Sequence, residues 1–153
     1  MDLPRICDEA QLSRVIQETV NKVLILRFGN QFDSTCMHLD NILSKSVINL
    51  SNMAVIFTIE LELDKENETF QTYLNYFDIN YIPSTIFFFN GHHIKIDYGL
   101  PDHSKLIGTL KEKQDLIDLI ECIYRTALKG KTFLLSPISK ERLFNYQLYY
   151  NDY

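Results

Sequence analysis

The dipeptide Asn90-Gly91, set between the β-rich runs Thr85 to Phe89 and His92 to Tyr98, constrains this chain more than any other feature. Asparagine and glycine accept the positive φ angles of a two-residue turn, so the flanking runs are predicted to be antiparallel neighbours in one sheet. Upstream, the pattern changes period. Asp8 can cap a helix with apolar positions Leu12, Val15, Ile16 and Val20, and Val23 to Phe28 is a continuous apolar run of the kind found in a buried strand. Leu39, Ile42, Leu43 and Val47 return to helical spacing behind Asp33 or Ser34 as cap, and Ala54 to Ile59 makes a second strand. Strand, helix, strand predicts a parallel pair with a right-handed crossover. The charged stretch Glu62 to Thr69 reads as a solvated loop and Phe70 to Phe77 as a short packed helix. Thr109 and Glu112 suggest a capping box for a last helix, whose stripe Leu116, Leu119, Ile120, Ile123 and Ala127 ends near Gly130. The whole order predicts an α/β fold with a mixed parallel and antiparallel sheet between helices.

A chain of 153 residues, 46% hydrophobic, can form one core that buries roughly two-thirds of its unfolded surface. Its net charge of -5 opposes attraction to RNA or an anionic membrane and favours a protein partner. Cys7, Cys36 and Cys122 are an odd number at wide spacings, and the opening residues MDLPRICDEA lack the pattern of a signal peptide. Free thiols in a reducing, intracellular setting are expected. No apolar run approaches the roughly 20 residues of a membrane span.

The stretch RFGNQFDSTC, Arg27 to Cys36, leads from the first strand to a helix start and presents one cysteine where a dithiol enzyme would have C-x-x-C. An apolar strand running into FGNQFDSTC, followed later by YIPSTIFFFNG, resembles the thioredoxin fold, with Ile82-Pro83 at the place of its cis-proline. The match covers Ala10 to Leu128. The motifs LRFG, DSTC leading to LD, FFFNGHHIKIDYG, KQDLIDLIECIYR, and GK with a following SP narrow the resemblance to the Dim family of thioredoxin-like pre-mRNA splicing proteins. The YGLPDH turn and the long tail resemble its second branch rather than the shorter core spliceosomal one.

That resemblance implies a thioredoxin-like domain over residues 1-131 and a C-terminal extension over 132-153. It places Asp33 at the attacking position of the degenerate site Asp33, Ser34, Thr35, Cys36, where a carboxylate suits the helix dipole but cannot attack a disulfide. Cys36 falls at the resolving position, where a buried thiol behaves as a small hydrophobe. Arg27 replaces the buried acid that handles protons, and Ser84 stands where the shorter branch has a cysteine. Ile82 and Pro83 form a candidate edge for an extended peptide. The implied function is a nuclear, non-catalytic adaptor of pre-mRNA splicing, with a cell-cycle role through splicing. Its partners would be splicing factors, including a large tri-snRNP scaffold protein of the Prp-six type. The alternative is a single-thiol redox enzyme or sensor that uses Cys36.

Other chemistry has little support. His92 and His93 with His103, Asp97 and Asp102 could be drawn as a metal set, but adjacent strand residues point to opposite faces, so no metal is expected. Arg125, Lys129 and Lys131 offset the dipole at the end of the last helix. No phosphate loop, hydrolase triad or cofactor motif is present. The tail holds four of the nine tyrosines, Tyr146, Tyr149, Tyr150 and Tyr153. Tyr146, Tyr149 and Tyr150 are candidate interface residues, for a homodimer or another partner, unless the tail covers its own domain.

Overall fold

The computed structural model describes residues 3–62 and 67–143 and the backbone of 147–148. Its central element is β1, Val23–Gly29, buried along its whole length. It lies between β2, Ala54–Glu60, which is parallel to it, and β4, Ser84–Phe89, which is antiparallel. The strand β5, His92–Asp97, pairs with β4 through the Asn90-Gly91 turn, where φ is 51° and 80°. Asn90 also accepts from the Asn21 amide at 2.6 Å, which ties the turn to the segment leading into β1. The sheet order is β2-β1-β4-β5-β7, with β6, Leu106–Ile107, also pairing with β4.

The edge strand β7, Phe133–Leu135, has no counterpart in the sequence reading, which ended its sheet at the hairpin. It runs parallel to β5, with Ile96 opposite Leu134. Three residues are too few to show a period, and only Leu134 turns inward.

Alternation along β1 divides the interior into two cores. Val23 and Ile25 face α2, Ser34–Leu50, and α4, Lys113–Leu128, and pack with Leu39, Leu43, Leu119 and Ile123. Leu24, Leu26 and Phe28 face α1, Glu9–Glu18, and α3, Gln71–Tyr76, and meet Leu12, Leu74 and Phe77. A strand buried on both faces needs apolar residues at every position, which is why VLIL reads as a run and not as an alternation.

Several expected details differ. The helix α1 stops at Glu18, so Val20 lies beyond it and is exposed. The cap of α4 is Glu112, without a side-chain hydrogen bond, and Thr109 bonds through its hydroxyl to His38 Nδ1 at 2.9 Å. No capping box forms, because the cap falls at Glu112 and His38 claims the threonine hydroxyl. Glu68, read as part of a wet loop, is buried and accepts from the amides of Glu62 at 2.8 Å and Phe70 at 3.1 Å.

Past Gly130, whose φ of +80° closes α4, the chain forms β7 and a 3-10 turn at Lys140–Arg142. Leu143 then bridges to Leu110. Residues Gln147–Leu148 form β8, which pairs antiparallel with β3, Tyr81–Ile82, in a separate two-stranded sheet. The side chains of Tyr146, Tyr149 and Tyr150, named above as interface candidates, lie outside the described residues.

Candidate functional site

The loop after β1 is held by its own polar groups. Asn30 donates from its side chain to the Leu61 carbonyl at 3.2 Å and accepts from the Phe32 amide at 2.9 Å, while the Gln31 amide donates to Glu60 at 2.6 Å. Phe32 is left 83% exposed. Asp33 then caps α2, accepting from the Cys36 amide at 2.9 Å. The carboxylate occupies the N-terminal position that would activate a thiolate, and there it satisfies an otherwise unpaired helix donor.

Cys36 is fully buried among Leu24, Leu26, Phe28 and their neighbours. Burial pushes its thiol up to about 12, against the smaller opposing effects of the Asn30 amide and the Arg27 charge. Near neutral pH it is therefore a protonated, packed side chain without the thiolate that exchange requires. Gly29 makes this packing feasible: a Cβ there would meet Cys36 Sγ at 2.8 Å and Arg27 Nη1 at 2.9 Å. Cys7 is exposed and Cys122 half-buried, and neither is paired.

Arg27 follows the alternation of Val23 and Ile25, so its guanidinium points toward α2. It forms a bidentate pair with Asp40, Nε to Oδ1 at 2.8 Å and Nη2 to Oδ2 at 2.6 Å, and a second ion pair with Glu60 at 2.7 Å. Burial alone would lower its pKa, but the bonds and charges of Asp40 and Glu60 more than offset this, and it stays charged. The two acids were missed in the sequence, where an arginine inside an apolar strand was the one available signal that carboxylates must face it.

The register brings the second half of the site alongside. Phe28 pairs with Ser84, so Pro83 lies across from Gly29, at the end of β1 from which the loop runs to Asp33. The Ile82-Pro83 bond is cis. Ser84 Oγ donates to the Tyr81 carbonyl at 2.6 Å, and the Gly108 amide donates to the Pro83 carbonyl at 2.8 Å. The start of α2 and the Ile82-Pro83 bond thus both lie toward the Gly29 end of β1.

The histidines considered for a metal part company on β5. His92 is exposed; His93 stacks on Phe88 at 5.3 Å and donates from Nε2 to the Ser104 carbonyl at 2.8 Å, and His103 lies 3.6 Å from Asp97. Among the described residues no group of three or more His, Cys, Asp or Glu side chains could hold a metal ion. Nor, among them, is any helix long and apolar enough to cross a membrane.

The sequence profile of the family described as Mitosis protein DIM1 matches residues 3–140. The chain belongs to the DIM1 family. Within and around this family it is similar to human Thioredoxin-like protein 4B, 47% identical over 150 residues that cover 98% of this chain and 97% of the relative. It is 30% identical to Mitosis protein dim1 of Schizosaccharomyces pombe, over 88% of this chain and 91% of that one. Spliceosomal protein DIB1 of Saccharomyces cerevisiae is 29% identical, over 88% and 90%. Among solved structures, chloroplastic thioredoxin z superposes with a TM-score of 0.60 at 17% identity, covering 82% of this chain and 96% of that one, and thereby shows the thioredoxin-like fold. A DIM1-family chain thus carries this fold with an aspartate, Asp33, capping α2.

Proposed function

We propose that this chain is a non-catalytic thioredoxin-like adaptor of pre-mRNA splicing that acts in the nucleus by binding splicing-factor proteins, a tri-snRNP scaffold protein of the Prp-six type among them. The names of its relatives support the process: one is a spliceosomal protein, and another a mitosis protein, which fits a cell-cycle role exerted through splicing. The observation that carries the absence of catalysis is the pair Asp33 and Cys36. The carboxylate that caps α2 cannot form a mixed disulfide, and Cys36, the one thiol at that helix start, is buried and held protonated. The binding surface this leaves is the Ile82-Pro83 edge beside the helix start.

Affinity capture from nuclear extract, with the wild-type chain and Cys36→Ser in parallel, tests the reading. Both are expected to retain the same splicing factors, and neither to reduce a disulfide substrate faster than free thiol. Disulfide turnover abolished by Cys36→Ser would instead establish a single-thiol enzyme. Light scattering on the same samples reads the homodimer expected of the tail.

A further inference from the structure

The strand β3 is paired not with the main sheet but with a segment of the chain's own tail, Tyr81 opposite Leu148 and Ile82 opposite Gln147. The backbone immediately before Pro83 therefore already holds an antiparallel strand, delivered from more than sixty positions away in the sequence. The tail is anchored ahead of that point. Arg142 grips Asp115 at 3.1 Å and Glu112 at 3.2 Å, and Leu143 bridges to Leu110. A two-residue pairing that follows a firm anchor can open without loosening the anchor, because the hydrogen bonds lost are few and individually weak.

Beside this pairing lies a cavity of about 450 Å³. Tyr81 of β3 lines it, with Tyr98, Leu100, Pro101, Leu106 and Leu143. Tyr98 is 3% exposed, and among the described residues its hydroxyl has no hydrogen-bond partner. A buried hydroxyl left unpaired is costly, so an acceptor brought to it would add to binding at the site. Of the charged groups at the rim, Lys105 pairs with Asp102 at 2.6 Å and donates to the Phe77 carbonyl at 2.9 Å, while Lys140 is exposed.

Building on the adaptor reading, we propose that the β3 edge and the adjoining Tyr98 cavity form a strand-addition site for an extended, apolar segment of a partner protein, and that residues 147–148 occupy this edge until the partner displaces them. Backbone pairing to Tyr81 and Ile82 supplies affinity, as it does for the tail. Specificity comes from an apolar side chain in the cavity and an acceptor for the Tyr98 hydroxyl.

The test uses the full chain and a variant carrying Gln147→Pro and Leu148→Pro, which removes the amides of β8; Leu148→Pro alone serves if circular dichroism shows that the double variant is unfolded. The first probe is a fluorescent peptide of residues 143–151, followed by polarisation. It is expected to bind the variant at least tenfold tighter than the wild type, with no binding by a control peptide that has proline at both places. The second probe is a phage-displayed library of random decapeptides selected on the variant. Selected peptides are expected to be apolar, to compete with the tail peptide, and to weaken at least fivefold when Tyr98→Phe is added. Equal binding of the tail peptide to both chains, or selected peptides indifferent to it and to Tyr98→Phe, would overturn the proposal. So would a wild-type dimer that becomes a monomer in the proline variant, since β8 would then be exchanged between two copies. Neither probe contains a splicing protein, so failure here is distinct from failure of the nuclear capture.

Discussion

Arg27 shows how much of the site depends on single residues. Its side chain is 1% exposed, whereas those of Asp40 and Glu60 are 22% and 17% exposed, so the charge that would be hardest to bury is the one with two partners. Removing one member of such a cluster strands the others. Arg27→Met is expected to lower stability by about 3 kcal/mol, seen as a lower urea midpoint with an unchanged slope. Asp40→Leu should cost clearly less in the Arg27→Met background than in the wild type, and equal costs in the two backgrounds would show that the pair is not coupled. Asp33 and Cys36 were legible from the sequence because their chemistry is decided by residue type at a helix start. The acids around Arg27 were not, because they arrive from α2 and β2.

At the scale of elements, the β4-β5 hairpin was readable because Asn90-Gly91 combines local turn chemistry with long flanking runs. Its His93 also makes a pH prediction. Burial lowers the His93 pKa below its ordinary value despite the Ser104 carbonyl, so the folded chain favours the neutral ring. The unfolded chain binds the proton first, from about pH 6.5 downward. The contribution of His93 is complete above that pH and is lost as pH falls through the lower folded value. Melting temperatures between pH 7.5 and 5 are expected to fall less steeply for His93→Phe than for the wild type, and parallel curves would refute the assignment. The short strands β6 and β7 escaped notice for the opposite reason to the hairpin: two or three residues carry no period, and Phe133 and Leu135 face outward. Pairing with β4 and β5 makes them strands.

For the whole molecule, the decisive quantity is the net charge of -5. With that charge opposing a polyanion, the isolated chain is expected to bind splicing RNA with a Kd on the order of 10⁻⁴ M or weaker at physiological salt. Electrophoretic shift and fluorescence titration would measure it, and tight binding with a steep salt dependence would contradict a protein-binding adaptor. The proposed adaptor role agrees with the fold at one point, since the start of α2 carries the capping carboxylate of Asp33.

By itself the sequence determined the α/β order and the central hairpin, which depend on local residue type, period and turn chemistry, and its motifs carried the resemblance to the family. Tertiary structure alone decided that Asp40 and Glu60 converge on Arg27 and that residues 147–148 return to pair with β3. Each of these joins groups separated along the chain, and only the register of β1 with its neighbours and the anchoring of Arg142 bring them within bonding distance.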